Sequence, residues 1–376
     1  MTKKKIAVVF GTRPEAIKMA PVILELNKHN DIFETLVIVT AQHREMLDQV
    51  LKVFNIKPDY DLNIMKKNQT LSDITSNILK GIEEIYKKEH PDMVLVHGDT
   101  TTSFSAALAA YYQRIPVGHV EAGLRTYDHN NPFPEEGNRQ LIDNLANLFF
   151  VPTEAAKQNL LQENKNKNNI IVTGNTVIDA VHYTKDAKVN HPVLDLMDSK
   201  SNQKWILLTM HRRENHGKPM SNVFEAAVEL IKKHPEIEVL MPVHMSPKVQ
   251  SVVKEVLGNN KRVHLTKPLE VDVFHQVINK SHLVLTDSGG LQEEAPALNV
   301  PVLVLRNKTE RPEGVESGTL KLVGTCKDKI ISEVTDLLED ETTYKKMTTA
   351  TNPYGDGKAS QRIINNLIEY FNSKRI

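Results

Sequence analysis

The chain has 376 residues, enough for two domains with separate cores, and its 47 lysines and arginines balance 47 aspartates and glutamates. A formal net charge of zero removes the basic footprint expected of a protein that lives on nucleic acid. The single cysteine, Cys326, excludes an internal disulfide, suits a reducing compartment, and is expected to be buried as a small hydrophobe.

At the N-terminus the apolar run from Ile6 to Phe10 is too short for a signal-peptide core of about 7–15 residues. No later segment approaches the roughly 18 apolar residues of a membrane span, so a cytoplasmic protein with no membrane partner is expected. From there, short β-branched and apolar runs alternate with stretches of helical period, the grammar of βαβ units. Strands are predicted at KIAVVF, ETLVIVT, MVLVH, IPVGHV, LFFVP and NIIVT in the first half. The second half repeats the pattern with WILLTM, IEVLMPV, RVHLT, HLVLTD, PVLVL and TLKLV. These strands are apolar on both faces, so they should be parallel and covered on each side by helices such as 221–234 and 272–280.

The fold class expected is therefore α/β, with two Rossmann-like doubly wound domains at 1–185 and 186–358. The polar stretch 186–204, with His191–Pro192, is the better linker candidate, and 164–169 (NKNKNN) reads as a surface turn. The halves share their element order but no alignable repeat. After the Gly/Pro-rich loop 352–357 comes an amphipathic helix over 359–372. It either packs back on the first domain or completes the second.

The chemistry-bearing residues cluster at strand exits, where open α/β sheets bind their ligands. The first strand runs into Gly11, Thr12, Arg13, Pro14, Glu15 and, one turn into the helix, Lys18. Helix-start amides and the Arg13 fork suit an anion, although taken alone the segment reads more readily as a plain capped turn. The segment lacks the second glycine and Lys–Ser/Thr pair of a Walker loop and the G-x-G-x-x-G of a dinucleotide site. MVLVHGD ends at Asp99 and IPVGHVE at Glu121, and PFPEEGNR carries Glu135 and Glu136. Asp99 could instead cap the helix starting near Thr101, and Glu135 could be a solvated first-turn acid of a helix over 138–146. Glu121, at the end of an apolar strand, needs a partner if buried, and Arg125 and Arg139 are the candidates. Three acids and two arginines so close in sequence favour a proton-transfer cluster.

The second half offers an anion site. Asp287 is followed by Ser288–Gly289–Gly290 opening a helix that carries Glu294, which could reach sugar hydroxyls; a Ser N-cap and turn is the alternative. Met210–His211–Arg212–Arg213–Glu214 reads either as diphosphate contacts or as a solvated loop, and Arg306 and Arg311 share that ambiguity. No H-E-x-x-H or cysteine-rich spacing points to a metal, and no cofactor is expected.

The segments FGTRPEAIKMAP, TAQHREML, HGDTTTS, HVEAGLRT, PFPEEGNRQL, HRREN, TDSGGLQEEAP, ERPEG and NPYGDGKAS occur in an order and spacing that resemble the non-hydrolysing UDP-N-acetylglucosamine 2-epimerases. The resemblance runs from Phe10 to Ser360. It implies a glycosyltransferase-B-like architecture with an interdomain cleft, a C-terminal helix (359–376) returning to the first domain, and interconversion of UDP-N-acetylglucosamine and UDP-N-acetylmannosamine. Carried over by position, Asp99, Glu121 and Glu135 would handle protons, with His211 assisting leaving-group departure. Arg13, Lys18, Arg139, Ser288, Gly289, Gly290, Glu294 and Arg311 would hold the UDP-sugar, with Phe274 near the uracil. A regulatory UDP-N-acetylglucosamine site would involve Gln42, His43, Gln69, Arg212 and His244, although Asn68 stands where the family often has arginine. A homodimer serving cell-envelope polysaccharide synthesis is also implied. The rival activities are a hydrolysing epimerase, for which an appended kinase-like domain is wanting, and a glycosyltransferase, for which no acceptor patch is visible. A non-catalytic sensor would have no use for three clustered acids.

Overall fold

Thirteen short strands, nearly all deeply apolar, build two separate parallel sheets in a computed structural model that describes residues 2–41, 44–66 and 68–373. One unit holds the chain up to Ala180 together with everything from Tyr354 onward; the other is Val181–Pro353.

In the first unit the strands are β1 (Lys4–Phe10), β2 (Phe33–Val39), β3 (Tyr60–Asp61), β4 (Met93–His97), β5 (Val117–Val120), β6 (Leu148–Val151) and β7 (Ile170–Val172). They lie in the order β3-β2-β1-β4-β5-β6-β7, parallel throughout. The strand order reverses between β1 and β4, which puts the ligand-binding crevice of a doubly wound sheet beyond the C-terminal ends of β1, β4 and β5. The connecting helices are α1 (Arg13–Lys28), α2 (Arg44–Val53), α3 (Leu71–Glu89), α4 (Thr101–Tyr112), α5 (Glu135–Leu145), α6 (Glu154–Gln162) and α7 (Thr176–Thr184). Thr12, Thr70, Thr100 and Thr153 start α1, α3, α4 and α6 by accepting a backbone N–H at the third helical position. On one face of the sheet, Ile78 and Ile82 of α3 and Ala106 and Ala110 of α4 pack on Val94 and Val96 of β4.

The second unit comprises β8 (Lys204–Thr209), β9 (Ile237–Pro242), β10 (Val263–Thr266), β11 (Leu283–Thr286), β12 (Val302–Val304) and β13 (Leu320–Leu322). Their order is β10-β9-β8-β11-β12-β13, again all parallel, with the reversal between β8 and β11. Its helices are α8 (Pro192–Ser199), α9 (Lys218–Lys233), α10 (Pro247–Val256), α11 (Val271–Lys280), α12 (Leu291–Glu294), α13 (Pro312–Glu316), α14 (Lys327–Glu339) and α15 (Glu341–Thr348). Strand β8 serves both cores in alternation: Ile206 and Leu208 face α9, α10 and α14, while Trp205 and Leu207 face α8 and α11.

The last helix, α16 (Ala359–Ser373), belongs to the first unit, where it packs on α1 and buries Ile363, Ile364, Leu367 and Phe371. The Asp179 carboxylate of α7 accepts its opening amides, Ala359 N at 3.1 Å and Ser360 N at 2.8 Å. The chain passes between units at Ala180–Val181, inside α7, and at Pro353–Tyr354, each slightly earlier than the sequence reading placed it. The fold class is α/β, with two Rossmann-like, glycosyltransferase-B-like units.

One strand falls outside the predicted set, and one expectation needs correction. The edge strand β3 has only two residues and no apolar run to announce it. Cys326 is exposed, because it sits at the N-cap of α14, ahead of the apolar stripe that begins at Ile330. No described helix is long and apolar enough to cross a membrane.

Candidate active site

Glu121 follows β5 directly, with its amide still bonded to Phe150 O at 2.9 Å, and takes a left-handed backbone at φ 64°. That turn carries its side chain into the crevice, where it is only 11% exposed. Its Oε2 receives Lys18 Nζ at 2.5 Å and Asn175 Nδ2 at 2.8 Å, and His97 Nε2 lies 3.7 Å away. Burial alone would raise this carboxyl. Lys18 and His97 outweigh it and hold the group well below the usual carboxylate range. The partners are thus Lys18, from one turn into α1, and Asn175, from the residue before α7. Neither arginine weighed from the sequence pairs with it.

Asp99 leaves β4 through Gly98, whose φ of 61° makes the turn. It does not cap α4, because the Thr100 hydroxyl takes that role by accepting Ser103 N. Its carboxylate instead pairs with Arg139 at 2.6 Å, and its carbonyl accepts Asn138 Nδ2 at 2.9 Å. Burial raises the Asp99 carboxyl and outweighs the opposing pull of Arg139, with the Glu121 and Glu135 charges adding to the rise. Helix α5 begins at Glu135, earlier than the predicted 138, so both acids fall in its first turn. Glu135 is half-buried beside Asp99. Glu136 is fully buried and structural, accepting Thr126 N at 3.0 Å, Tyr127 N at 3.1 Å and Gln140 Nε2 at 2.8 Å.

Arg125 lies outside this group. Its buried side chain bonds Glu163 at 2.6 and 2.7 Å and Asp143 at 2.7 Å. Asp143 also binds His119 Nδ1 at 2.6 Å, and the other ring nitrogen meets Gly98 O at 2.7 Å. Arg125 therefore braces the scaffold below the acids. At the head of α1, Thr12 and Glu15 form a capping box, and the Glu15 carboxylate takes Gly11 N at 3.1 Å and Thr12 N at 2.8 Å. Its other oxygen accepts the Thr100 and Ser103 hydroxyls at 2.7 and 2.9 Å. Two of the amides that would suit an incoming anion are thus already bonded within the protein. Arg13 is the first helical residue and is half-buried.

In the second unit, buried Asp287 organises the exit of β8. It accepts His211 N at 3.1 Å, Arg212 N at 2.9 Å and Asn215 Nδ2 at 3.0 Å, and stands 3.3 Å from His211 Nδ1. His211 stacks on His244, with ring centroids 5.5 Å apart. Burial lowers the His211 imidazole, opposed by Asp287 and reinforced by His244 and Arg212. Ser288 donates its amide to Thr286 Oγ1 at 2.9 Å and does not cap a helix. The helix after Gly290 is only Leu291–Glu294 before Pro296 starts a 3₁₀ turn, too short to present a full dipole. A Cβ on Gly289 would come 3.5 Å from Arg212, an ordinary contact, and one on Gly290 would come 3.1 Å from Glu294 Oε1, close enough to displace that carboxylate slightly. Glu294 Oε2 lies 3.6 Å from His275 Nε2. Arg311 pairs with buried Glu293, and Arg306 with Glu214 and Glu310. Phe274 packs against the apolar core beneath.

Of the regulatory candidates, Gln69 Oε1 accepts Lys66 N at 2.7 Å, and Arg212 and His244 lie beside Gly289 and His211 respectively. Gln42 and His43 lie outside the described residues. Among the described residues no group of three or more His, Cys, Asp or Glu is placed to hold a metal ion. Sequence reading missed Asn175, His97, Glu15, Glu293 and the bracing role of Asp287. Only the Thr12–Glu15 spacing carried a usable signal, as a capping box.

A family model described as UDP-N-acetylglucosamine 2-epimerase matches residues 24–368. A UDP-N-acetylglucosamine 2-epimerase of Bacillus subtilis is 55% identical over 375 residues, covering 100% of this chain and 98% of the relative. A crystal structure of the Neisseria meningitidis UDP-GlcNAc 2-epimerase bound to UDP-GlcNAc aligns with TM-score 0.86 at 51% identity, over 97% of this chain and 100% of that one. The Methanocaldococcus jannaschii enzyme in complex with UDP-GlcNAc and UDP aligns with TM-score 0.78 at 38% identity, over 97% of this chain and 99% of that one. With a family match over most of its length and a relative more than half identical end to end, the chain belongs to the UDP-N-acetylglucosamine 2-epimerase family.

Proposed function

We propose that the chain interconverts UDP-N-acetylglucosamine and UDP-N-acetylmannosamine by anti elimination of UDP across C1–C2 and re-addition. The observation that carries this is the divergence of two neighbouring carboxyls, Asp99 pushed up by burial and Glu121 held down by Lys18 and His97. Titratable groups driven apart by their surroundings are the mark of an acid and a base working together. Two relatives of known structure, those of Neisseria meningitidis and Methanocaldococcus jannaschii, hold UDP-GlcNAc, which supports the same nucleotide sugar here.

The C2 proton of a pyranose has no adjacent carbonyl and is too weakly acidic for abstraction and simple return. Elimination avoids this difficulty. The C2–H pair becomes the C1=C2 bond, the C1–O pair departs with UDP, and 2-acetamidoglucal stays bound. Re-addition places a proton on the other face of C2 and returns the UDP oxygen to C1. Asp99, Glu121 and Glu135 are the proton-handling groups, each positioned transfer being worth roughly 10²–10⁴ in rate. His211 assists departure of the diphosphate. Arg13, Lys18, Arg139, Phe274, Ser288, Gly289, Gly290, Glu294 and Arg311 are the residues that hold the UDP-sugar. We further infer regulatory binding of UDP-N-acetylglucosamine through Gln42, His43, Gln69, Arg212 and His244. A cytoplasmic homodimer feeding cell-envelope polysaccharide completes the reading.

Incubation with UDP-N-acetylglucosamine in D₂O, followed at C2 by NMR, tests it. Deuterium at C2 of an intact UDP-sugar is expected. Stoichiometric free UDP would instead indicate hydrolysis, and no exchange without an acceptor would indicate transfer. Acceleration of UDP-N-acetylmannosamine turnover by added UDP-N-acetylglucosamine tests the regulatory site, and strictly Michaelian kinetics would count against it.

A further inference from the structure

Asn175 is a buried side chain, 4% exposed, whose amide has no choice of direction. Its Oδ1 accepts Val177 N at 3.0 Å at the start of α7, so its NH₂ must be the group that meets Glu121 Oε2 at 2.8 Å. Its own backbone N–H donates to Tyr354 O at 2.7 Å, from the segment leading into α16. The preceding residue, Gly174, has φ 87°, and a Cβ there would fall 3.2 Å from Gly355 Cα and 3.3 Å from Tyr354 O. Arg362 of α16 donates to Thr173 O at 3.0 Å, and Asp179 holds the first amides of α16. The stretch from Thr173 to Asp179 is thus pinned by the returning C-terminal segment on one side, and it aims a single amide at the acid on the other. Lys18 attracts the same carboxylate, but its long stem has many rotamers and fixes no direction. A short amide bonded on both its faces does.

We propose that Asn175 is a positioning residue for Glu121, holding the carboxylate in one orientation from a platform built by the C-terminal return. This rests on the reading of Glu121 as a proton-handling acid. The charged and titratable groups facing Glu121 are Lys18 from α1, His97 from β4 and Asp99 just beyond β4; Asn175 is its uncharged donor.

The test is Asn175→Ser, whose hydroxyl can still accept Val177 N–H and keep the helix start but is too short to reach Glu121. Turnover of UDP-N-acetylglucosamine should fall about tenfold with KM within about twofold. The acid limb of kcat/KM should move to higher pH by about one unit, because a lost donor destabilises the ionised form. The thermal midpoint should stay near that of the native chain. A native kcat and an unmoved limb, or a loss that only follows the folded fraction, overturns the proposal. If Asn175→Ser does not fold, Asn175→Asp keeps the cap oxygen and sets a second carboxylate against Glu121, so its limb must rise further. No movement there is equally fatal. Glu121→Gln separates the two levels: an inactive Glu121→Gln beside an unaffected Asn175→Ser removes only the role of Asn175, whereas an active Glu121→Gln removes the parent reading and the inference with it.

Discussion

Arg125→Met should damage the scaffold and spare the chemistry. The guanidinium is fully buried and bonds Asp143 at 2.7 Å, Glu163 at 2.6 and 2.7 Å, and Leu124 O at 2.7 Å. Asp143 is fully buried as well, so deleting Arg125 leaves that carboxylate with His119 and the Gly123 amide as its remaining partners. Burial would push the Asp143 carboxyl up, and at present His119 and Arg125 hold it below its ordinary value. Removing one member of a buried pair costs about 3–5 kcal/mol, because the other charge stays desolvated. Glu163 is partly exposed and can turn to water, so it adds little to that cost. For a unit of this size each kcal/mol lowers the midpoint by about 2–4 °C, so the first unit should melt about 6–20 °C lower. Differential scanning calorimetry reads that shift, and kcat per folded molecule, measured well below the new midpoint, should stay within about threefold. An unchanged midpoint, or a drop of about 10² or more in kcat of the folded enzyme, would refute the structural assignment and return Arg125 to the acid cluster.

Asp99→Asn and Glu121→Gln should each cut turnover by about 10² or more with circular dichroism unchanged, and near-normal turnover in either would remove its assigned role. Arg139→Leu takes away the charge that opposes the upward push of burial on Asp99, so the limb of the kcat–pH profile reporting that acid should move to higher pH. In Asp287→Asn an NH₂ faces backbone donors in place of an acceptor; kcat/KM should fall about 10–100-fold, and isothermal titration with UDP should show whether affinity falls with it. Arg362 hydrogen bonds pull Asp356 down to about 2 from 3.8, so its stabilisation is complete above the ordinary value and is lost as pH falls towards 2. Asp356→Asn should therefore lose stability near neutrality and converge with the native chain in acid, as followed by urea melts across that range.

The two sheets were legible because parallel strands covered on both faces carry no polar alternation. Runs such as VVF and LVIV can hardly be anything else, and only β3, two residues at an edge, had no signal. The acids were legible as strand-exit carboxylates, but their partners were not. Whether Glu121 meets Arg125, Arg139, Lys18 or Asn175 depends on how α1 and α7 lie across the sheet, and sequence spacing does not encode that. The diglycine segment looked like the mouth of a full helix until Pro296, visible in the sequence, ended it after one turn. Thr12 and Glu15 spelled a capping box in plain view, and the anion reading overlooked that the helix had brought its own carboxylate.

Glu121 occupies a backbone conformation that costs a side-chain-bearing residue about 1 kcal/mol and glycine almost nothing. Glycine there would recover that cost but would take the carboxylate away from the largely buried Lys18 and Asn175, a loss of about 3–5 kcal/mol, so selection for heat resistance alone would keep the acid. Robustness and chemistry draw here on the same side chain, so a campaign to harden this enzyme would retain the acid without having to screen for it.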